Sequence, residues 1–251
     1  MATIASPADM ERAERKFFFI MACVMALTII AGFSTNLILG RSSFSLPLIY
    51  HIHAFVFMGW VALYLTQNGL IATDNVAIHR RLGWLAVLWV PVMVGLGMTM
   101  TIVSARKGGR FFFDVNEFLF GNALQLLVFA SLVTAAITLR RRTDWHRRLM
   151  YCSMAVLTGP GLGRMLPMPL FIPWAWWVVI SASLAFPAIG MIADRRRRGR
   201  VHPAWLWGIG AVLAALLLGD LVAYSSIGLD ATQAIVQGTP GADRPLHAYL
   251  P

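Results

Sequence analysis

Charge is scarce in this 251-residue chain: Asp, Glu, Lys and Arg make up 13% of it, about half the share of a soluble globular domain. Apolar residues fill the difference at 58%, which excludes a cytosolic enzyme and a disordered chain alike. Cysteine is nearly absent. Cys23 and Cys152 lie inside apolar runs without the short spacing of a metal or redox pair, so no disulfide scaffold is written here. Lysine is as rare: only Lys16 and Lys107 occur, both outside the apolar runs, which excludes a retinal Schiff base. Neither the H-E-x-x-H pair of zinc proteases nor a G-x-S-x-G nucleophile elbow is present. Met165 and Met168 beside a histidine would suit copper(I), but nothing has ligand spacing and no metal site is expected.

What the chain does have is long apolar runs. A helix needs about 20 mostly apolar residues to cross a bilayer. Seven windows qualify, near 17–40, 49–72, 82–104, 117–139, 146–166, 170–193 and 203–226. The expectation is an all-α, seven-helix membrane domain over 1–226, followed by a flexible outer tail over 227–251. Fifteen Phe, nine Trp and five Tyr suit interfacial belts and packing between helices. Fifteen Lys or Arg fall on the N-terminal side of this alternation and six on the other. That asymmetry predicts a cytoplasmic N-terminus and an external tail. The net charge of +10 is therefore a topology device and not a nucleic-acid footprint. Arg195, Arg196, Arg197 and Arg198 form the one basic run suited to anionic lipid.

One motif recurs. Ile78-His79-Arg80-Arg81-Leu82 opens the third window and Trp145-His146-Arg147-Arg148-Leu149 the fifth, with the tetrads 67 residues apart. The spacing fits duplicated helical hairpins. Two arginines at a helix N-terminus oppose its dipole by about 0.3–1 kcal/mol each. Topology alone explains the boxes. So does an anion site with both arginine pairs converging, or a b-type haem with His79 and His146 as axial ligands.

Ionisable groups inside spans are costly and face a bundle interior or a cavity. Arg164 lies 18 residues beyond His146, about 27 Å along a helix. Asp220 reaches a similar depth in the last window; His51, His53 and Glu117 enter from the same outer side. Arg164 and Asp220 are the expected ion pair. Gly159-Pro160-Gly161-Leu162-Gly163 precedes Arg164 and predicts a kinked or broken helix, a feature that often lines a ligand site. On the second window His53, Phe57, Trp60, Tyr64 and Gln67 share one helical face, whereas His51 points elsewhere.

The histidine opening the second window, "HRRLGW", "WHRRLM" and the arginine five turns on together resemble a large, poorly characterised family of bacterial polytopic membrane proteins with HRRLG and HKRLM boxes. The resemblance covers roughly residues 45–166 and implies roles for His53 or His51, His79, Arg80, His146, Arg147 and Arg164. A looser likeness to two-haem cytochromes of the b561 type implies histidine pairs near both faces. Three functions follow as expectations. The first is binding or moving an anionic or lipophilic small molecule in an outer-half pocket of His53, Trp60, Tyr64, Arg164 and Asp220. The second is a haem- or quinone-linked redox protein using His79 and His146. The third is a cyclase-like membrane enzyme with Asp220 or Glu117 as acid.

Overall fold

The computed structural model describes residues 7–246, and no strand occurs among them. In apolar runs of this length the backbone must satisfy its own hydrogen bonds, so helices are the outcome. They are α1 (Pro7–Ile38), α2 (Leu48–Ala72), α3 (Val76–Gly83), α4 (Leu85–Arg106), α5 (Val115–Thr138), α6 (Thr143–Met165), α7 (Ala175–Ser183), α8 (Ala185–Arg198), α9 (Pro203–Ala223) and α10 (Ser226–Val236). Six segments are long and apolar enough to cross a membrane: Asp9–Ile38, Leu48–Ala72, Leu85–Arg106, Val115–Thr138, Ala175–Arg198 and Pro203–Ala223. The fifth of these joins α7 and α8 through a bend at Leu184.

α6 is too polar to count among the six, yet it packs against α1, α5, α7 and α9. Its polar side chains face inward. Ser153 and Thr158 are buried and bond their own helix, and the buried Tyr151 hydroxyl donates to the Phe186 carbonyl at 2.9 Å. Helix α6 is also unbroken. Pro160 sits on its exposed side, while the glycines around it serve close packing. A Cβ on Gly161 would lie 2.9 Å from the Thr28 carbonyl of α1, and one on Gly32 would collide with the Gly161 backbone. The glycine run is therefore a crossing point, not the break its composition suggests.

Two more expectations change. The first His-Arg-Arg box does not open a span: it ends the short helix α3, ahead of a bend at Trp84. Arg80 and Arg81 then sit in a last helical turn, where the dipole favours cations. The tail beyond 226 is folded as far as it is described. Ser225 caps α10, and the Arg244 guanidinium donates to the carbonyls of Gly108, Phe111 and Phe113 at 2.8–3.2 Å. Arg244 thus pins the loop that joins α4 to α5. His247 lies outside the described residues.

Replacing Gly161 by Val should lower stability in detergent by about 1–3 kcal/mol, the usual effect of overpacking. Gly210 has open space around its Cβ position, so Gly210→Ala should be neutral or stabilising by up to about 1 kcal/mol. Thermal unfolding of both variants checks this; equal responses would contradict the crossing.

Candidate functional site

Ionisable groups gather at both ends of the bundle, and the two ends are built differently. At one end, the side chain of Arg148 is fully buried. Its Nε and Nη2 donate to the Asp194 carboxylate at 2.8 and 2.6 Å, its Nη2 also meets Glu14 at 2.9 Å, and its Nη1 caps the Asp144 carbonyl. Arg147 reaches Glu14 at 3.0 Å, Arg198 pairs with the same carboxylate, and the Trp205 indole donates to Asp194. Arginine forks on buried carboxylates are the strong form of ion pair. This lattice ties α1, α6, α8 and α9 together. His202 adds to it: the Ala204 N–H points at Nδ1, leaving Nε2–H to donate to Asp144 at 2.9 Å.

The expected anion site at the two boxes is not assembled. Arg147 and Arg148 are taken up by carboxylates, and Arg80 and Arg81 are exposed. What the boxes do share is a histidine contact, with the His79 and His146 rings 6.2 Å apart at 80°. His146 Nδ1 lies 2.8 Å from the Ala136 carbonyl, which only accepts, so Nδ1 holds the proton and Nε2 the lone pair. Burial and the neighbouring His146 hold His79 below the usual histidine range, so it is neutral. The Gln67 amide satisfies its contacts when its NH2 faces His79 Nδ1 and its oxygen accepts from the Gly83 N–H. His79 Nε2 is then the protonated nitrogen. A bis-imidazole haem needs a free lone pair on both rings, and this pair offers one. The residues do not fit that group. No group of three or more His, Cys, Asp or Glu among the described residues is arranged to hold a metal ion.

At the opposite end the acidic and basic groups separate. Asp114 precedes α5 as its N-cap residue, yet its side chain makes no capping bond; its Oδ2 accepts from the Tyr224 hydroxyl at 2.9 Å. Asn116 donates to the Ala223 carbonyl, and Asp220 accepts from the Trp177 indole at 2.5 Å. α5 and α9 come close where Gly219 faces the Gly121 backbone: a Cβ on Gly219 would lie 3.2 Å from the Gly121 Cα. Glu117, one turn from Gly121, therefore shares its surroundings with Asp220 and Asp114. The expected Arg164–Asp220 ion pair is absent, because Trp177 and the α5–α9 crossing hold Asp220 on the acidic side.

Arg164 lies with other cations instead. Its Nη1 donates to the Pro160 carbonyl one turn back at 2.5 Å, and its guanidinium sits 4.0 Å over the Phe33 ring. Its Nε–H is buried without any acceptor. The neighbouring charge is Arg110, whose Nη2 meets the Asn36 amide oxygen at 3.3 Å. Burial and the nearby Arg41 hold Arg110 below the usual guanidinium range. His53, stacked on Phe57 at 4.2 Å, completes the group beside Arg164. Among the described residues, no carboxylate pairs with Arg110 or Arg164.

Of the residues expected to line one outer pocket, His53 and Arg164 are together. Trp60 and Tyr64 are core residues, with Trp60 edge-on to Phe129, and Asp220 belongs to the acidic group. Two cavities lie against α10, one beside Gln233 and Arg244 and one between Met98 and Ile235; neither includes these residues. Arg110, Asn36 and Phe33 were not expected at the site. Arg110 reads in the sequence as one more loop charge; the polar run Ser34-Thr35-Asn36 near the end of the first window was the available signal. No protein-family model, curated protein or solved structure matches the chain. The class that the described residues define is an all-helical bundle with six membrane-length apolar helices.

Arg148→Met should destabilise the fold by about 3–5 kcal/mol, because it leaves Glu14 and Asp194 buried without their shared partner. The double variant Arg148→Met/Asp194→Leu should lose less than the sum of its parts. Chemical unfolding in detergent measures both; additive losses would refute the coupling.

Proposed function

We propose that the chain is a seven-pass protein of a bacterial cytoplasmic membrane, with α6 as the additional span and the N-terminus inside. In this reading it binds or moves an anionic or lipophilic small molecule at the outer end, where His53, Arg110 and Arg164 meet. The orientation rests on the fifteen basic residues on one side against six on the other. Arg195–Arg198, on the crowded side, would then face the anionic inner leaflet.

The observation that carries the binding reading is the missing counter-charge. Two guanidinium groups, partly withdrawn from water and repelling one another, stand beside an imidazole with no carboxylate in reach. Burying unpaired charge is unfavourable, and an anion bound among the three groups removes the penalty. Asp114, Glu117 and Asp220 are instead gathered on the α5–α9 side.

At constant ionic strength, phosphate or acetate should raise the unfolding temperature of the detergent-purified protein saturably. Stabilisation approaches about 2.7 kcal/mol at roughly a hundred times the dissociation constant. Arg164→Gln and Arg110→Gln should abolish the rise, and Arg195→Gln should leave it intact. A rise that survives both outer substitutions would overturn the assignment.

A further inference from the structure

We propose that Gln67 and His79 form a proton-operated clamp, which holds α3 on α2 while His79 is neutral and releases it when His79 takes up a proton. The clamp lies beside His146 at the start of α6, whereas Arg164 lies at the other end of that helix. It is independent of the anion reading above.

The clamp is one amide with three bonds. The Gln67 NH2 donates to His79 Nδ1 at 2.5 Å and to the His79 carbonyl at 3.2 Å, and its oxygen accepts from the Gly83 N–H at 2.8 Å. Residues 79 and 83 are one turn apart, so a single side chain of α2 grips successive turns of α3. Little else holds this helix. None of its residues is buried, and Ile78, Arg80 and Arg81 are exposed. Before its start Arg15 of α1 pairs with Asp74, and beyond its end Arg140 lies 5.6 Å over the Trp84 ring.

All three bonds form in a single orientation of the amide, and that orientation requires a lone pair on Nδ1. A proton there sets N–H against NH2. Turning the amide gives Nδ1–H an acceptor, but it sets the NH2 against the Gly83 N–H and the oxygen against the His79 carbonyl. Two backbone bonds are then lost for one to the ring. An amide has one donor end and one acceptor end, so no third orientation recovers them.

His79 is only half-buried, so a proton can reach it. Few groups face it. α6 presents His146, α3 itself adds Arg80, and α2 presents the amide and carbonyl of Gln67; α4 has no titratable side chain before Arg106. Burial, His146 and Arg80 oppose the charged ring and outweigh the Gln67 backbone carbonyl, which favours it. The stability that the neutral clamp contributes is therefore fully present above about pH 6.5, the ordinary histidine value, and is lost as pH falls further. His146 keeps its bond to the Ala136 carbonyl in either protonation state, so its own titration leaves the clamp's donors unchanged.

The test is hydrogen–deuterium exchange of the full chain in neutral detergent at about pH 8 and about pH 5, on either side of the ordinary histidine value, with rates corrected for their intrinsic pH dependence. Protection of the segment 76–84 should fall about 5- to 30-fold in acid, the share of one to two hydrogen bonds, while α5 stays protected. Gln67→Glu supplies acceptors for both Nδ1–H and the Gly83 N–H, and should keep α3 protected at the lower pH. Gln67→Leu should leave it unprotected at both. His146→Asn removes the facing ring and should move the loss to higher pH. Equal protection of 76–84 at the two pH values in the unaltered protein overturns the clamp, as does an acid loss that survives Gln67→Glu or His79→Asn. If Gln67→Glu fails to fold, which rapid exchange throughout α5 would reveal, His79→Asn decides alone.

Discussion

The arrangement depends on how a small supply of carboxylates is distributed in a low-dielectric setting. Eleven acidic residues serve twenty-one basic ones. Glu14 and Asp194 are committed to Arg147, Arg148 and Arg198 at one end, where they bind four helices into a unit. Asp114, Glu117 and Asp220 are gathered at the α5–α9 crossing and draw their donors from Tyr224 and Trp177. Arg110 and Arg164 are left over. An unpaired guanidinium in such surroundings is tolerated when something else neutralises it, and that requirement is the source of the functional reading.

Helix packing decides which groups receive partners. The centre of the bundle is its least apolar long helix: α6 turns Ser153, Thr158 and Tyr151 inward, satisfying the first two within the helix and Tyr151 on the Phe186 carbonyl of α8. Close crossings at Gly32–Gly161 and Gly121–Gly219 draw α1 onto α6 and α5 onto α9. The first crossing delivers Phe33 beneath Arg164; the second holds Glu117 near Asp220 and away from the arginines. Small residues at such contacts are the ordinary means by which apolar helices approach. Here they also sort charges of opposite sign into separate compartments.

The apolar windows made most of the helices legible from sequence, because length and composition act along a single helix. The neighbourhood of His53 and Arg164 was legible for the same reason, since both lie at one depth. Partner choice was not. Whether Arg164 meets Asp220 or Arg110 depends on the rotation of α6 and α9 about their axes, and hydropathy carries little information on rotation. Glu14 and Arg148 are 134 residues apart and meet only through the α1–α6 crossing. The Gly-Pro-Gly run misled because glycine favours both a broken helix and a close contact; the distinction lies in whether a neighbouring backbone occupies the space. The segment after residue 226 looked mobile because its Gly and Pro obscure a short capped helix and the Arg244 anchor.

The resemblance to a family with His-Arg-Arg boxes implied roles for His79, Arg80, His146 and Arg147 as well as for His53 and Arg164. The contacts give the boxes another role. One box supplies the buried arginine of the ion-pair lattice, and the two histidines meet as opposite tautomers, one fixed by a carbonyl and one by Gln67. The proposed function rests at the opposite end, where an outer pocket was expected, on a loop arginine and a span-end arginine that share no motif.

An experimental density map of the protein in lipid nanodiscs tests the central claim most directly, at a resolution that resolves the Arg164 side chain. The account predicts Arg164 lying on Phe33 with anion density between its guanidinium and Arg110, while Asp220 stays on Trp177. A guanidinium swung across to Asp220, Glu117 or Asp114, with no anion between Arg164 and Arg110, would contradict it.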